Sequence, residues 1–129
     1  MKNLDILVID SETEFGELLR DCLSDWGHRV EVVGDLAKLR TWLEHVDFDW
    51  ILCDLHLPSY RPLGGFLGHV QALSRSSRTR IGVLTGNLDV GSAPSLGVDF
   101  VLRKPFSIYR LHELLGLPKT TTSVLNRTP

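Results

Sequence analysis

The run Trp50-Ile51-Leu52-Cys53, closed by Asp54, constrains this chain most. A continuous apolar run of that length between polar residues suits a strand in a sheet covered on both faces. Sheets of that kind are parallel, and parallel strands need a crossover between them, usually a helix. Asp54 stands at the carboxyl end of the strand, and Pro58 ends regular structure soon afterwards. In open α/β sheets ligands and chemistry gather at that end. An acid at that address is a candidate nucleophile or metal ligand.

The rest of the chain supplies the alternation. Asp5-Ile6-Leu7-Val8-Ile9 reads as a first strand ending on Asp10, and Arg29 to Val33 as a second. Ile81 to Leu84 ends on Thr85, and Asp99 to Leu102 runs into Arg103-Lys104-Pro105-Phe106. Helical spacings lie between them. Ser11-Glu12-Thr13-Glu14 has the form of a capping box. Phe15, Leu18, Leu19, Cys22, Leu23 and Trp26 follow at helical spacing, with Gly27 as the C-cap. Asp35 caps a second helix carrying Leu36, Leu39, Leu43 and Val46. A loop from Ser59 to Gly65 precedes a third helix built on Phe66, Leu67, Val70 and Leu73. Asn87 to Gly97 should hold a fourth, expected short or irregular because Gly91 and Pro94 fall inside it. Ser107 caps the last helix, whose stripe is Ile108, Leu111, Leu114 and Leu115 and whose end is Gly116.

The expected fold is therefore α/β: a doubly wound, five-stranded parallel sheet with helices on both faces. The flavodoxin-like order 2-1-3-4-5 is common for such sheets. It would set Asp10 beside Asp54 and bring Thr85 and Lys104 to the same edge. Two carboxylates, a hydroxyl and an ammonium there are what a divalent metal and a phosphoryl group require.

A length of 129 residues fits one domain. That domain is expected over residues 1–117, with 118–129 as a flexible tail because three threonines and little apolar content follow Lys119. A net charge of -2 gives no electrostatic case for binding nucleic acid or an anionic membrane. Cys22 and Cys53, both in apolar segments, read as reduced thiols. With no bilayer-spanning run, and Met1-Lys2-Asn3 leading straight into a strand, the expected location is cytoplasmic.

Five short pieces, in order, carry a family resemblance: Ile6-Leu7-Val8-Ile9-Asp10, Asp54-Leu55-His56-Leu57-Pro58, Leu84-Thr85-Gly86, Gly97-Val98-Asp99-Phe100 and Lys104-Pro105-Phe106. Across residues 3–116 the chain resembles the receiver domain of a bacterial two-component response regulator. The resemblance implies that Asp54 accepts a phosphoryl group from a phosphohistidine of a sensor histidine kinase or phosphotransfer protein. It implies Mg²⁺ held by Asp10, Asp54 and the backbone carbonyl of His56. Lys104 would pair with a phosphoryl oxygen, Thr85 would hydrogen-bond another, and Phe106 would be the aromatic switch residue. The Lys104-Pro105 bond is expected to be cis, as proline allows. His56 and Asn87 occupy the positions that tune hydrolysis of the acyl phosphate. Output would pass to a downstream protein effector, without direct contact to nucleic acid or membrane, and the family also forms homodimers.

The sequence departs from the family pattern in three places. Ser11 stands where a second metal-binding acid is usual, which should weaken Mg²⁺ binding, because a hard dication relies on charged oxygen ligands. The loop between Pro58 and Phe66 is a few residues longer than usual. Thr85 and Lys104 lie nineteen positions apart, about one helical turn shorter than the family norm. The loss falls on the fourth helix, part of the face receivers use to dimerise or signal. Two functions compete on these residues: a receiver phosphorylated on Asp54, at most self-catalysing its phosphotransfer and dephosphorylation, and a phosphorylation-independent pseudo-receiver that only binds partners. A nucleotide- or flavin-binding enzyme fits poorly, because Asp10-Ser11-Glu12-Thr13 is acidic and lacks the glycines of a phosphate cradle.

Overall fold

The computed structural model describes residues 3–10, 13–54, 68, 70–73, 78–86, 97–117 and 123–125. Its elements are β1 (Asp5–Asp10), α1 (Thr13–Asp25), β2 (Arg29–Val33), α2 (Leu36–His45), β3 (Trp50–Asp54), β4 (Arg80–Thr85), β5 (Phe100–Arg103), α3 (Ile108–Leu115) and β6 (Ser123–Leu125). Gly68 and residues 70–73 are also helical. The sheet order is β2-β1-β3-β4-β5-β6, and every pairing is parallel. The first five strands follow the expected 2-1-3-4-5 order.

The sixth strand was not expected. Ser123, Val124 and Leu125, inside the stretch read as a flexible tail, pair in register with Phe100, Val101 and Leu102. Three residues are too short to show a strand periodicity, and the neighbouring threonines hide them further. The expected third-helix start at Phe66 and Leu67, the fourth-helix stretch 87–96, and residues 118–122 and 126–129 lie outside the described residues.

Within the continuous apolar strands, alternate residues serve opposite faces, because successive side chains point to opposite sides of a sheet. Leu7, Ile9, Ile51, Val83 and Val101 pack with Leu39 and Leu43 of α2 and with Val70. Ile6, Val8, Leu52, Leu84 and Leu102 pack with Leu19 and Leu23 of α1 and with Leu111, Leu114 and Leu115 of α3. Two cores on one sheet explain why the strand sequences do not alternate apolar with polar.

The helix ends follow the local chemistry read from the sequence. Asp35 accepts from Lys38 N–H at 2.8 Å, and Ser107 accepts from Tyr109 N–H at 3.1 Å, each satisfying an N-terminal donor that the helix leaves open. Gly27 ends α1 with φ at +93°, a conformation that disfavours a side chain. The C-terminal carbonyl of Leu115 in α3 accepts from the Trp50 indole at 3.0 Å, and the Arg80 guanidinium lies 4.4 Å from the centre of that ring. The last helix is thereby fixed to the amino ends of β3 and β4. Gly82 makes room for Phe100 beside it: a Cβ at that position would come within 2.4 Å of the ring.

Candidate functional site

Three strands deliver the site to one edge. The β1–β3 pairing sets Asp10 directly opposite Asp54, and both residues are fully buried. β4 ends on Thr85, 2% exposed, which pairs in register with Arg103 of β5. The next residue, Lys104, donates its backbone N–H to the Thr85 carbonyl at 2.7 Å, tying the chain after β5 to the end of β4. The Lys104-Pro105 bond is cis. The Lys104 ammonium forms an ion pair with Asp54 Oδ1. So Asp10, Asp54, Thr85 and Lys104 share the edge the sequence assigned them.

Two buried carboxylates stand side by side, and the Lys104 ammonium, whose side chain is 22% exposed, pairs with Asp54. Burial disfavours charge and like charges repel, so an added cation is the natural complement of this pair. A hard divalent ion such as Mg²⁺ suits two carboxylate oxygens because it keeps several waters and needs few protein ligands. Among the described residues there is no cluster of three or more His, Cys, Asp or Glu that could hold a metal. The expected contributor His56, the substituted position Ser11 and Asn87 lie outside the described residues. Cys53, next to Asp54, is no rival nucleophile: burial, reinforced by the Asp54 charge, pushes its thiol pKa up to about 12.

Two residues at the site escaped sequence reading. Phe15 has the spacing of an ordinary core residue, yet its ring centre lies 4.3 Å from the Lys104 ammonium. It also meets Phe106 edge to face, with centroids 6.3 Å apart and planes at 88°. Phe106 itself is half-buried and packs on the α1–α3 side of the sheet. Gly16, inside a helical pattern where glycine is costly, lets α1 approach the sheet edge. A Cβ there would sit 2.7 Å from Val32 Cγ1 and 3.4 Å from Asp10 Oδ2. Its presence in an otherwise good helix was the one available signal of close approach.

A family model described as "Response regulator receiver domain" matches residues 6–116. Among solved structures, the chain is similar to a response regulator protein from Burkholderia pseudomallei with a phosphorylated aspartic acid, calcium ion and citrate. That match has 25% identity and a TM-score of 0.74, and covers 88% of this chain and 66% of the other, slightly less than two thirds of its length. It is also similar to the receiver domain of sensor histidine kinase PA1611 from Pseudomonas aeruginosa PAO1, which has a magnesium ion coordinated in the active site cleft. There the identity is 25% and the TM-score 0.71, with 88% and 95% of the two chains covered. The chemotaxis response regulator CheY4 of Vibrio cholerae shares the fold at 23% identity, a TM-score of 0.73, and 88% and 97% coverage. No curated protein sequence matches the chain.

Proposed function

The chain belongs to the response regulator receiver domain family, a family of signalling domains rather than classical enzymes, and from that premise we propose that it is phosphorylated on Asp54 and so switches its binding to a protein partner. One observation carries the proposal. The Asp54 carboxylate closes β3 with Asp10 opposite it in register and the Lys104 ammonium in contact with it. A carboxylate nucleophile needs its charge offset as a phosphoryl group approaches, and an ion pair does part of that.

In the proposed reaction an Asp54 carboxylate oxygen attacks the phosphorus of a phosphohistidine on a sensor kinase or phosphotransfer protein. The new O–P bond forms as the P–N bond breaks, and the imidazole leaves with the electron pair and takes up a proton. Asp10 and Asp54 would hold Mg²⁺, which neutralises the crowded anions when bound. Lys104 passes from the Asp54 carboxylate to a phosphoryl oxygen. Thr85 hydrogen-bonds another oxygen and Phe106 turns with it, which biases an existing equilibrium between two conformations. A downstream protein effector, or a second copy of the chain, reads the change. The metal- and phosphoryl-bearing relatives support this reading by analogy.

A second reading rests on Ser11, which replaces an acid that would bring a further charged ligand to the metal. On that reading the domain binds its partners without phosphorylation. Intact mass after incubation with acetyl phosphate and Mg²⁺ separates the two. The expected result is one phosphoryl adduct on the wild-type chain and none on Asp54→Asn. A folded wild-type chain that stays unmodified at high Mg²⁺ would select the interaction domain instead.

A further inference from the structure

We infer that Phe15 is a positioning residue for phosphoryl transfer: its ring face holds the Lys104 ammonium against Asp54, and its edge contact links that lysine to Phe106. The inference rests on the proposed role of Lys104 and extends it to a residue on another element. Among the described residues the Lys104 ammonium meets two groups of opposite kind. One is the Asp54 carboxylate, and the other is the Phe15 ring, whose centre lies 4.3 Å away. An aromatic face carries partial negative charge and attracts a cation at that distance, more strongly when water is largely excluded. The lysine side chain is only 22% exposed.

The surroundings give the ring a reason to matter. Phe15 and Lys104 both line an apolar cavity of about 470 Å³ between α1 and the chain that follows β5, together with Leu18, Cys22, Pro105 and Phe106. Among these lining residues the Phe15 face is the counterpart of the ammonium on the cavity side. An aliphatic side chain could fill the same space but could not attract the charge. When a phosphoryl group forms on Asp54, the lysine must transfer to a new oxygen within a short reach. A ring fixed at the start of α1 limits where else it can go. The same ring meets Phe106 edge to face, so a shift of the lysine and a turn of Phe106 are felt through one side chain. Phe15 does not touch the reacting atoms in this arrangement. It acts through Lys104.

The test replaces the electrostatics of the ring while keeping its shape. Phenylalanine 15 is exchanged for its difluoro and pentafluoro analogues, which progressively remove the negative face, and separately by Phe15→Leu and Phe15→Tyr. The rate of adduct formation with acetyl phosphate and Mg²⁺ is followed by intact mass. In parallel, NMR records the Lys104 ε-methylene protons, which a ring face shifts upfield. The expected result is a rate that falls in steps with fluorination, by about three- to tenfold for the pentafluoro ring. Phe15→Leu should lose both the rate and the upfield shift, and Phe15→Tyr should keep both. A rate indifferent to fluorination would overturn the inference and reduce Phe15 to a packing residue. So would a Lys104 signal with no upfield shift in the wild type. If the wild-type chain takes no phosphoryl group, the receiver reading fails first, and the lysine signal still decides whether the ring holds the ammonium.

Discussion

Asp10 and Asp54 are two acids opposite one another, with both side chains removed from water and the Lys104 ammonium in contact with Asp54. Each adds unfavourable charge to the other's surroundings, and a dication relieves both. On the proposed reading the Ser11 position decides how strongly. In Ser11→Asp a third carboxylate joins the edge, so Mg²⁺ should bind about tenfold more tightly, since affinity follows the number of charged ligands. The metal-free variant should also melt below the wild type, because the added charge has no partner until the ion arrives. Calorimetric titration with Mg²⁺ and thermal melts with and without the ion measure the two effects. A variant that gains neither affinity nor metal-dependent stability would place residue 11 away from the metal. At this scale the acids, the lysine and the threonine were legible because each ends or follows an apolar strand. Phe15 was not, because a residue that packs and one that orients a charge have the same spacing.

Among the elements, α3 is bound to the opposite end of the sheet by a pair of imidazoles. Leu4 N–H donates to His28 Nδ1 at 3.0 Å, so that nitrogen carries a lone pair and the neutral ring holds its proton on Nε2. That Nε2 lies 2.8 Å from His112 Nε2, which must then be the acceptor. A second proton on either ring would set two donors face to face. Burial pushes both imidazoles below their ordinary 6.5. The folded chain therefore binds fewer protons than the unfolded one as the pH falls below 6.5. The stability from this pair is complete above 6.5 and is lost as the pH drops toward and through the lowered folded values. The expected loss between pH 7 and pH 5 is about 1 kcal/mol, the scale of one part-buried hydrogen bond. Urea melts across that range should show it. His112→Gln, whose amide oxygen accepts without titrating, should flatten the slope, and an unchanged slope would assign it to other groups. Sequence reading found the elements this pair joins but not the pair. The caps Asp35, Ser107 and Gly27 are local chemistry, written within a few residues of where they act. His28 and His112 are 84 positions apart and meet only through the fold. Trp26, read from spacing as helix packing, stacks on His112 with centroids 4.0 Å apart, which the spacing could not foretell.

Across the whole molecule the sheet is closed at one side by the segment least legible in the sequence. β5 carries the buried Phe100, Val101 and Leu102 and leads directly into Lys104. Without β6 it would be an edge strand, with a row of backbone donors and acceptors open to water or to another chain. Removal of residues 118–129 takes away β6 and leaves the five strands from β2 to β5 paired with one another, so the shortened domain should still fold. The deletion should cost about 1–4 kcal/mol, since it removes a few backbone hydrogen bonds of about 0.5–1.5 kcal/mol each. Its effect should be local. The β5 amides that face β6 should exchange with solvent much faster, while those of β1 and β3 keep their protection. Because the exposed strand is apolar, the shortened chain should also associate more readily at high concentration. Hydrogen exchange by mass spectrometry, with light scattering on the same samples, reads both. Unchanged exchange in β5 would mean that β6 adds nothing to the sheet in solution, and global loss of protection would mean that the tail belongs to the core. Protection lost in β5 alone would show that the end of the chain steadies the strand from which Lys104 reaches Asp54.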